Sequence, residues 1–166
     1  MKIEKELGQI DAIDMANYIL KKYGPMSHLK LQKLLFYCDA YHLAYIEEPL
    51  LHQNFQAWVH GPVCIEVYHE LKGHSVLYSD VSYDNKTEVK DPNKIVNELL
   101  TSKQLDIITE VLETLTPWKD SELEASTHRE KPWIEARAGI PATQKCETVI
   151  NKITTKDFYK KEILPR

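Results

Sequence analysis

The most constraining feature of this 166-residue chain is segment 28–48, whose apolar residues surround most of a helical circumference. One stripe follows the i, i+3, i+4, i+7 spacing of an amphipathic helix and consists of Leu31, Leu34, Leu35, Cys38, Tyr41 and Tyr45. Phe36, Tyr37 and Ala40 extend the apolar surface beyond that stripe. A helix that is apolar nearly all round is covered by other elements on most sides. We therefore expect this helix to lie at the centre of the core.

Capping signals divide much of the remaining chain into shorter helices. Asp11 or Asp14 can begin a first helix that ends at Gly24-Pro25, and Ser27 can cap the central helix. Asp91 followed by Pro92 predicts a helix whose Leu99 faces the core. Three further helix starts are predicted at Thr101-Ser102, at an S-x-x-E capping box formed by Ser121 and Glu124, and at Thr154 or Thr155. After Trp133 we expect irregular structure.

One short segment has β character. Residues 55–59, Phe-Gln-Ala-Trp-Val, form a β-prone run that stops at Gly61-Pro62. Pro62 is suited to the first turn of a helix, on which Val63, Val67 and Leu71 would form one stripe. A second small hairpin, of residues 76–78 and 87–89, is an option in the polar connection 74–91.

These elements predict a mainly α fold: a single-domain helical bundle around a central apolar helix, with one small β-strand or hairpin element. We expect one domain over residues 1–166, with its core in about 10–163, because no Pro/Gly/Ser-rich linker divides the chain.

Charge and cysteine content exclude several classes of protein. Twenty-one basic and 25 acidic residues give a net charge of -4, so nucleic-acid binding is not expected. The segment 145–166 is a mild exception, with 6 basic and 3 acidic residues. A solvated helix face explains this basic segment as well as a bound ligand does. No apolar run reaches membrane-spanning length, so no membrane partner is expected. Three cysteines without a pairing motif favour a reducing, cytoplasmic location.

The sequence offers little catalytic chemistry. Gly-rich phosphate loops and recognisable metal-ligand spacings are absent, so no cofactor or metal is expected. One arrangement stays open: Cys64 at the start of a helix, with His60 or His128 as the base of a small Cys/His-dependent enzyme. A free cysteine is more often a small buried hydrophobe. The preferred interpretation is therefore a protein without enzymatic activity.

Three motifs in order carry a family resemblance. They are K-L-Q-K-L-L-F-Y at 30–37, A-W-x-x-G-P-V at 57–63 followed by Tyr68, and T-H-x-x-x-P-W at 127–133. This series resembles the Panacea domain, a family that includes SocA-like antitoxins and phage-associated GepA-type proteins. The resemblance implies partner-binding or motif roles for Trp58, His60, Gly61, Pro62, Val63, Tyr68, Thr127, His128, Pro132 and Trp133.

The same resemblance implies a function. Proteins of this family are typically antitoxins of type II toxin–antitoxin modules that neutralise a cognate protein toxin, encoded by an adjacent gene, through direct binding. The alternative is a proteolytic adaptor that delivers its partner to an ATP-dependent protease.

The motif residues also have physical interpretations. Gly61 is expected at a sharp turn, Trp58 is expected to pack on the central helix, and His60 and His128 are expected to share a polar cluster. That cluster either serves the structure or shapes the face that binds the toxin.

Overall fold

The computed structural model describes residues 5–71, 77–83 and 91–163. Within these ranges the chain forms helices and two short antiparallel strand pairs. The helices are α1 (Ala12–Tyr23), α2 (His28–Ile46), α3 (Ile65–Leu71), α4 (Pro92–Leu99), α5 (Ser102–Leu115), α6 (Asp120–His128), α7 (Lys131–Arg137) and α8 (Lys152–Ile163). The strands are β1 (Met26–Ser27), β2 (Gln56–Trp58), β3 (Gly61–Val63) and β4 (Asp80–Val81). The predicted mainly α single-domain class is confirmed, whereas its predicted limits, 1–166 with a core in 10–163, stay a prediction.

Helix α2 is the centre of the molecule, as its all-round apolar sequence predicted. Fifteen of its 19 residues are buried, and α1, α5, α6 and α8 all pack against it. The C-terminal helix α8 makes the most extensive of these contacts, so the end of the chain returns to cover its most apolar helix. Two expected core residues are largely exposed: Tyr45, in the last turn of α2, is 48% exposed, and Leu99, in the last turn of α4, is 41% exposed.

Most predicted helix starts are confirmed. Asp11, Ser27, Asp91 and Thr101 each accept a hydrogen bond from a backbone N–H in the first turn of the helix that follows. Gly24 closes α1 with a positive φ of 87°.

Three predictions near the C-terminus are wrong in detail. Helix α6 begins two residues earlier than the predicted capping box of Ser121 and Glu124 would place it: its N-cap is Lys119, whose backbone N–H donates to Glu122 Oε1. Helix α8 is capped by Asn151, whose side chain accepts from two backbone N–H groups, so Thr154 and Thr155 lie inside the helix. The chain after Trp133 is not irregular at once, since α7 continues to Arg137.

The two strand pairs differ in their relation to the sequence. Strand β1 pairs with β4, and β2 pairs with β3, both antiparallel. The β1–β4 pair was not predicted, because two-residue strands carry no periodicity. The optional hairpin of residues 76–78 and 87–89 falls mostly outside the described residues.

A buried carboxylate anchors the C-terminal helix to the core. Asp39 Oδ1 accepts hydrogen bonds from the backbone N–H groups of Leu50 and Leu51, at 2.9 and 3.0 Å. Asp39 Oδ2 lies 2.9 Å from the ammonium nitrogen of Lys152, at the start of α8. Buried charges need this kind of pairing, because an unpaired buried charge is strongly destabilising. The linkage holds together segments that are more than 100 residues apart in sequence.

Candidate functional site

The β2–β3 hairpin is the centre of the motif residues. Trp58 lies opposite Gly61, and residues 59 and 60 form the turn between the strands. Gly61 has a φ of 106°, a conformation that glycine adopts without the strain of a Cβ atom. The predicted sharp turn is therefore present, but it joins two strands. Pro62 and Val63 belong to β3 and not to a helix, which begins only at Ile65.

A buried lysine of the first motif lies directly beneath this hairpin. Lys33, on α2, is completely buried, and its Nζ donates a 2.9 Å hydrogen bond to the carbonyl oxygen of Pro62. A Cβ atom on Gly61 would lie 2.5 Å from Lys33 Cε and 2.8 Å from Thr127 Oγ1. The hairpin can approach α2 and α6 this closely only because residue 61 has no side chain. Lys33, Gly61 and Thr127, one residue from each of the three motifs, thus come together at this point.

Burial changes the acid–base behaviour of this lysine. Desolvation lowers the pKa of Lys33 from 10.5 to about 7, and the carboxylates of Glu124 and Asp120 on α6 oppose that lowering. The folded protein therefore holds an amine that titrates near neutral pH. The first motif includes Lys33, but the sequence does not show that this lysine is buried. Its burial depends on residues that are distant in sequence, such as Pro62, 29 positions later.

His60 and His128 both lie close to Glu124 on α6. His60 Nδ1 lies 2.8 Å from Glu124 Oε1, and the phenol of Tyr78 lies 3.0 Å from the same nitrogen. The ring of His128 stacks on Trp133 with centroids 4.2 Å apart. Burial lowers the pKa of His128, and Glu124 opposes that effect. The structure thus brings the two histidines to one polar cluster, with Glu124 and Tyr78 as members that the sequence did not indicate.

An aromatic group lies next to this cluster. The rings of Trp58 and Tyr68 meet edge to face at 4.9 Å, and Tyr68 stacks on His28 of α2 at 5.6 Å. Trp58 therefore makes an aromatic contact with α3, and its expected packing on the central helix stays a prediction. Its indole N–H donates to Gln56 Oε1 at 2.7 Å. The Trp133 indole N–H donates to the Trp58 carbonyl at 2.8 Å, which ties α7 to the hairpin.

Burial separates the motif residues into two groups. The buried group, with less than one tenth of each residue exposed, consists of Gly61, Pro62, Val63, Thr127, Pro132 and Trp133. The partly exposed group consists of Trp58, His60, Tyr68 and His128. Tyr78, which belongs to none of the motifs, is 62% exposed beside them. We name Trp58, His60, Tyr68 and Tyr78 the hairpin face.

Arg137, the last residue of α7, is a further member of the site that the sequence did not indicate. Its side chain is buried, and its guanidinium donates to the carbonyl oxygens of Ala57 and Pro141, at 2.7 and 2.8 Å, and to that of Gln144. It lies over the ring of Trp133 at 4.9 Å. Arg137 therefore fixes α7 against β2. A single Arg in a segment that the sequence predicted to be irregular gives no signal for this role.

The environment of Cys64 does not favour catalysis. Cys64 lies between β3 and α3, is fully buried, and donates from Sγ to Glu66 Oε2 at 3.3 Å. Burial raises the pKa of this thiol to about 12, whereas a nucleophilic cysteine needs a lowered pKa. Its backbone N–H and carbonyl are both held by the side-chain amide of Gln32, which is a structural arrangement. In residues 5–71, 77–83 and 91–163 no group of three His, Cys, Asp or Glu side chains is placed to hold a metal ion.

The sequence comparison gives the family. Residues 31–134, more than half of the chain, match the sequence model described as "Antitoxin SocA-like, Panacea domain". The chain belongs to this family, and the resemblance drawn from its motifs is confirmed. Membership supports an antitoxin role at the level of the family and a protein without enzymatic activity. Neither the curated proteins nor the solved structures contain a match to the chain. Among the helices that the structure describes, none has the length and apolar character required to span a bilayer.

Proposed function

We propose that this protein is the antitoxin of a type II toxin–antitoxin module and neutralises a partner protein toxin by direct binding in the cytoplasm. The observation that carries the proposal is the match of residues 31–134 to the SocA-like antitoxin family. The toxin is the product of an adjacent gene, and no catalytic step is involved.

We further propose that the hairpin face contacts the toxin. Trp and Tyr are the residue types that most often dominate binding energy at protein interfaces, because they combine large contact area with a polar tip. Trp58 is held by its hydrogen bond to Gln56 and by the ring of Tyr68. An aromatic residue that is already fixed loses little conformational entropy on binding. Lys33 contacts the hairpin at Gly61, and these two buried residues hold the hairpin against α2.

Co-expression with the neighbouring open reading frame tests the proposal. The neighbour alone should arrest growth, and this protein should restore growth and form a complex that survives purification. A neighbour that is harmless by itself would refute the proposed module. Restored growth accompanied by a shortened half-life of the neighbour's product, without a stable complex, would identify a proteolytic adaptor.

Substitutions test the surface separately. Trp58→Ala and Tyr78→Ala should each weaken toxin binding by about tenfold or more, as expected of interface anchors. Tyr78→Phe, which keeps the ring, should retain more affinity than Tyr78→Ala. Leu99→Ala removes a comparably exposed apolar side chain from α4 and is the matched control. Wild-type affinity in both alanine variants would exclude the hairpin face from the interface.

A further inference from the structure

A second surface feature lies toward the other end of the central helix. A groove with a volume of about 190 Å³ opens between α2 and α5. It is lined by Tyr41, Tyr45, Ile107, Glu110, Val111, Thr114 and Leu115. Pockets for drug-sized ligands typically measure about 300–1,000 Å³, so this groove suits one large side chain better than a small-molecule ligand. We name it the α2–α5 groove.

The walls of the groove are apolar and preformed. Ile107, Val111 and Leu115 repeat at every fourth residue of α5, and each is less than one tenth exposed. Tyr41 and Tyr45 lie one turn apart on α2, which is covered along most of its length. The cover ends at Tyr45, a residue that is about half exposed. This open apolar surface thus belongs to the most buried helix of the protein.

The charge beside the groove is negative. Glu110 lines it, and Asp106 lies one turn earlier on the same exposed side of α5. Among the described residues neither carboxylate forms an ion pair, and the only base on α5 is Lys103, in its first turn. Burial raises the pKa of Tyr41 to about 12, and the nearby carboxylates of Glu130 and Glu162 act in the same direction. A second copy of this acidic face would be repelled, whereas a cationic partner segment would be attracted.

We infer that the α2–α5 groove docks a segment of a partner protein in which one large apolar side chain, such as Leu or Phe, is flanked by Lys or Arg. The apolar side chain fills the space between Tyr45 and Val111, and the cation lies against Glu110. Tyr45 follows Lys33 by 12 residues on α2, about 18 Å along the helix axis. The groove is therefore a contact separate from the hairpin face. As the second contact of one toxin, it rests on the proposed function.

Matched peptides test the groove without the toxin. Two 12-residue peptides share a central Phe-Leu pair, which is flanked by lysines in one and by glutamates in the other. Titrated into the ¹⁵N-labelled full chain, the lysine peptide should bind at least tenfold more tightly and shift amide signals over 107–115. Raising the salt concentration should weaken its binding, because exposed charges are screened. Equal binding of both peptides, no binding of either, or shifts confined to other residues would overturn the inference.

Variants assign that binding to named residues. Glu110→Lys should reverse the preference between the two peptides, and Tyr45→Ala should weaken the lysine peptide about tenfold. Glu98→Lys, an equal charge reversal at an exposed position of α4, is the control and should leave binding unchanged. Thermal unfolding of each variant checks that the fold is retained. Unchanged peptide binding in both groove variants would refute the site.

Binding measurements with the toxin distinguish the proposed groove from the proposed antitoxin function. Where the adjacent gene's product binds the wild type, Tyr45→Ala and Glu110→Lys should each raise its Kd about tenfold. A Kd unaffected by both variants would overturn the groove as a partner-docking site and leave the antitoxin function standing. An adjacent product that does not bind the wild type would refute the proposed function, and the peptide result alone would then decide on the groove.

Discussion

Replacing Lys33 by Met should remove a pH dependence from the stability of this protein. In the folded chain the Lys33 amine is completely buried, and burial lowers its pKa from 10.5 to about 7. In the unfolded chain the same amine is in water and titrates near its ordinary value of 10.5. Met keeps the length and the apolar stem of Lys and removes the titrating group.

Proton linkage gives the sign of this pH dependence of the unfolding free energy. Between pH 7 and 10.5 the unfolded chain binds more protons at Lys33 than the folded chain, so this residue makes the free energy of unfolding rise with pH. Below pH 7 both states carry the proton and the full penalty of the buried charge is present. Above pH 10.5 both states are neutral and the penalty is gone. With these pKa values, the wild type gains about 2 kcal/mol from Lys33 between pH 7 and 9.

Urea unfolding at pH 7 and pH 9 measures this quantity. The rise in unfolding free energy between the two pH values should be about 2 kcal/mol larger for the wild type than for Lys33→Met. Subtraction removes the contribution of all other titrating groups. Lys161→Met, at an exposed position in the last turn of α8, is the matched control and should retain the wild-type pH dependence. Equal pH dependence in wild type and Lys33→Met would show that the amine titrates at its ordinary pKa and is reached by water.

Two further predictions concern the hairpin and the thiols. Gly61→Ala should lower the unfolding free energy by about 2–4 kcal/mol in urea titrations, since a Cβ meets Lys33 and Thr127 in addition to the strain of a positive φ. Gly139→Ala, also at positive φ but with open space around its Cβ, should lose only about 1–2 kcal/mol, and equal losses in both variants would contradict the close approach of hairpin and helix. Burial raises the pKa of Cys64 to about 12, so iodoacetamide at pH 8 should label this thiol slowly in the folded protein and readily in urea. Rapid, pH-dependent labelling of folded Cys64, read by mass spectrometry, would revive the Cys/His enzyme alternative.

The parts of the fold that local signals control were predictable. Asp11, Ser27, Asp91 and Thr101 cap helices because their side chains bond to N–H groups two or three residues away, within one stretch of sequence. The central helix was predictable for a similar reason, since its all-round apolar pattern implies cover from every side.

The predictions failed where a local preference competed with distant contacts. Pro62 suits the first turn of a helix. In the fold, however, its carbonyl oxygen accepts a hydrogen bond from the amine of Lys33, and its strand β3 pairs with β2. Tyr45 continues the apolar stripe of α2, but the stripe extends past the elements that cover it. In both cases the deciding atoms lie many residues away in sequence, so periodicity and propensity could not reveal them.

The candidate site shows the same division. The motif series marked the hairpin, Thr127 and His128, but it did not separate exposed residues from buried ones. Burial divides the motif residues into enclosed and partly exposed ones. The hydrogen bonds of His60 add Glu124 and Tyr78 to the cluster, and neither residue belongs to the motif series. Arg137 stayed invisible because its role consists of bonds to backbone carbonyls, which any sequence can supply.

The buried lysine connects stability to the proposed function. Replacing a buried charge by an apolar residue of similar volume is often neutral or stabilising, and buried polar groups can instead fix one specific geometry. Lys33 donates to the Pro62 carbonyl and contacts the hairpin where Gly61 lacks a side chain. If its role is to position the hairpin face, Lys33→Met should keep or raise the unfolding free energy at pH 7 and still weaken toxin binding. A variant that is as stable as the wild type and binds the toxin with unchanged affinity would show that the hairpin is held by packing alone.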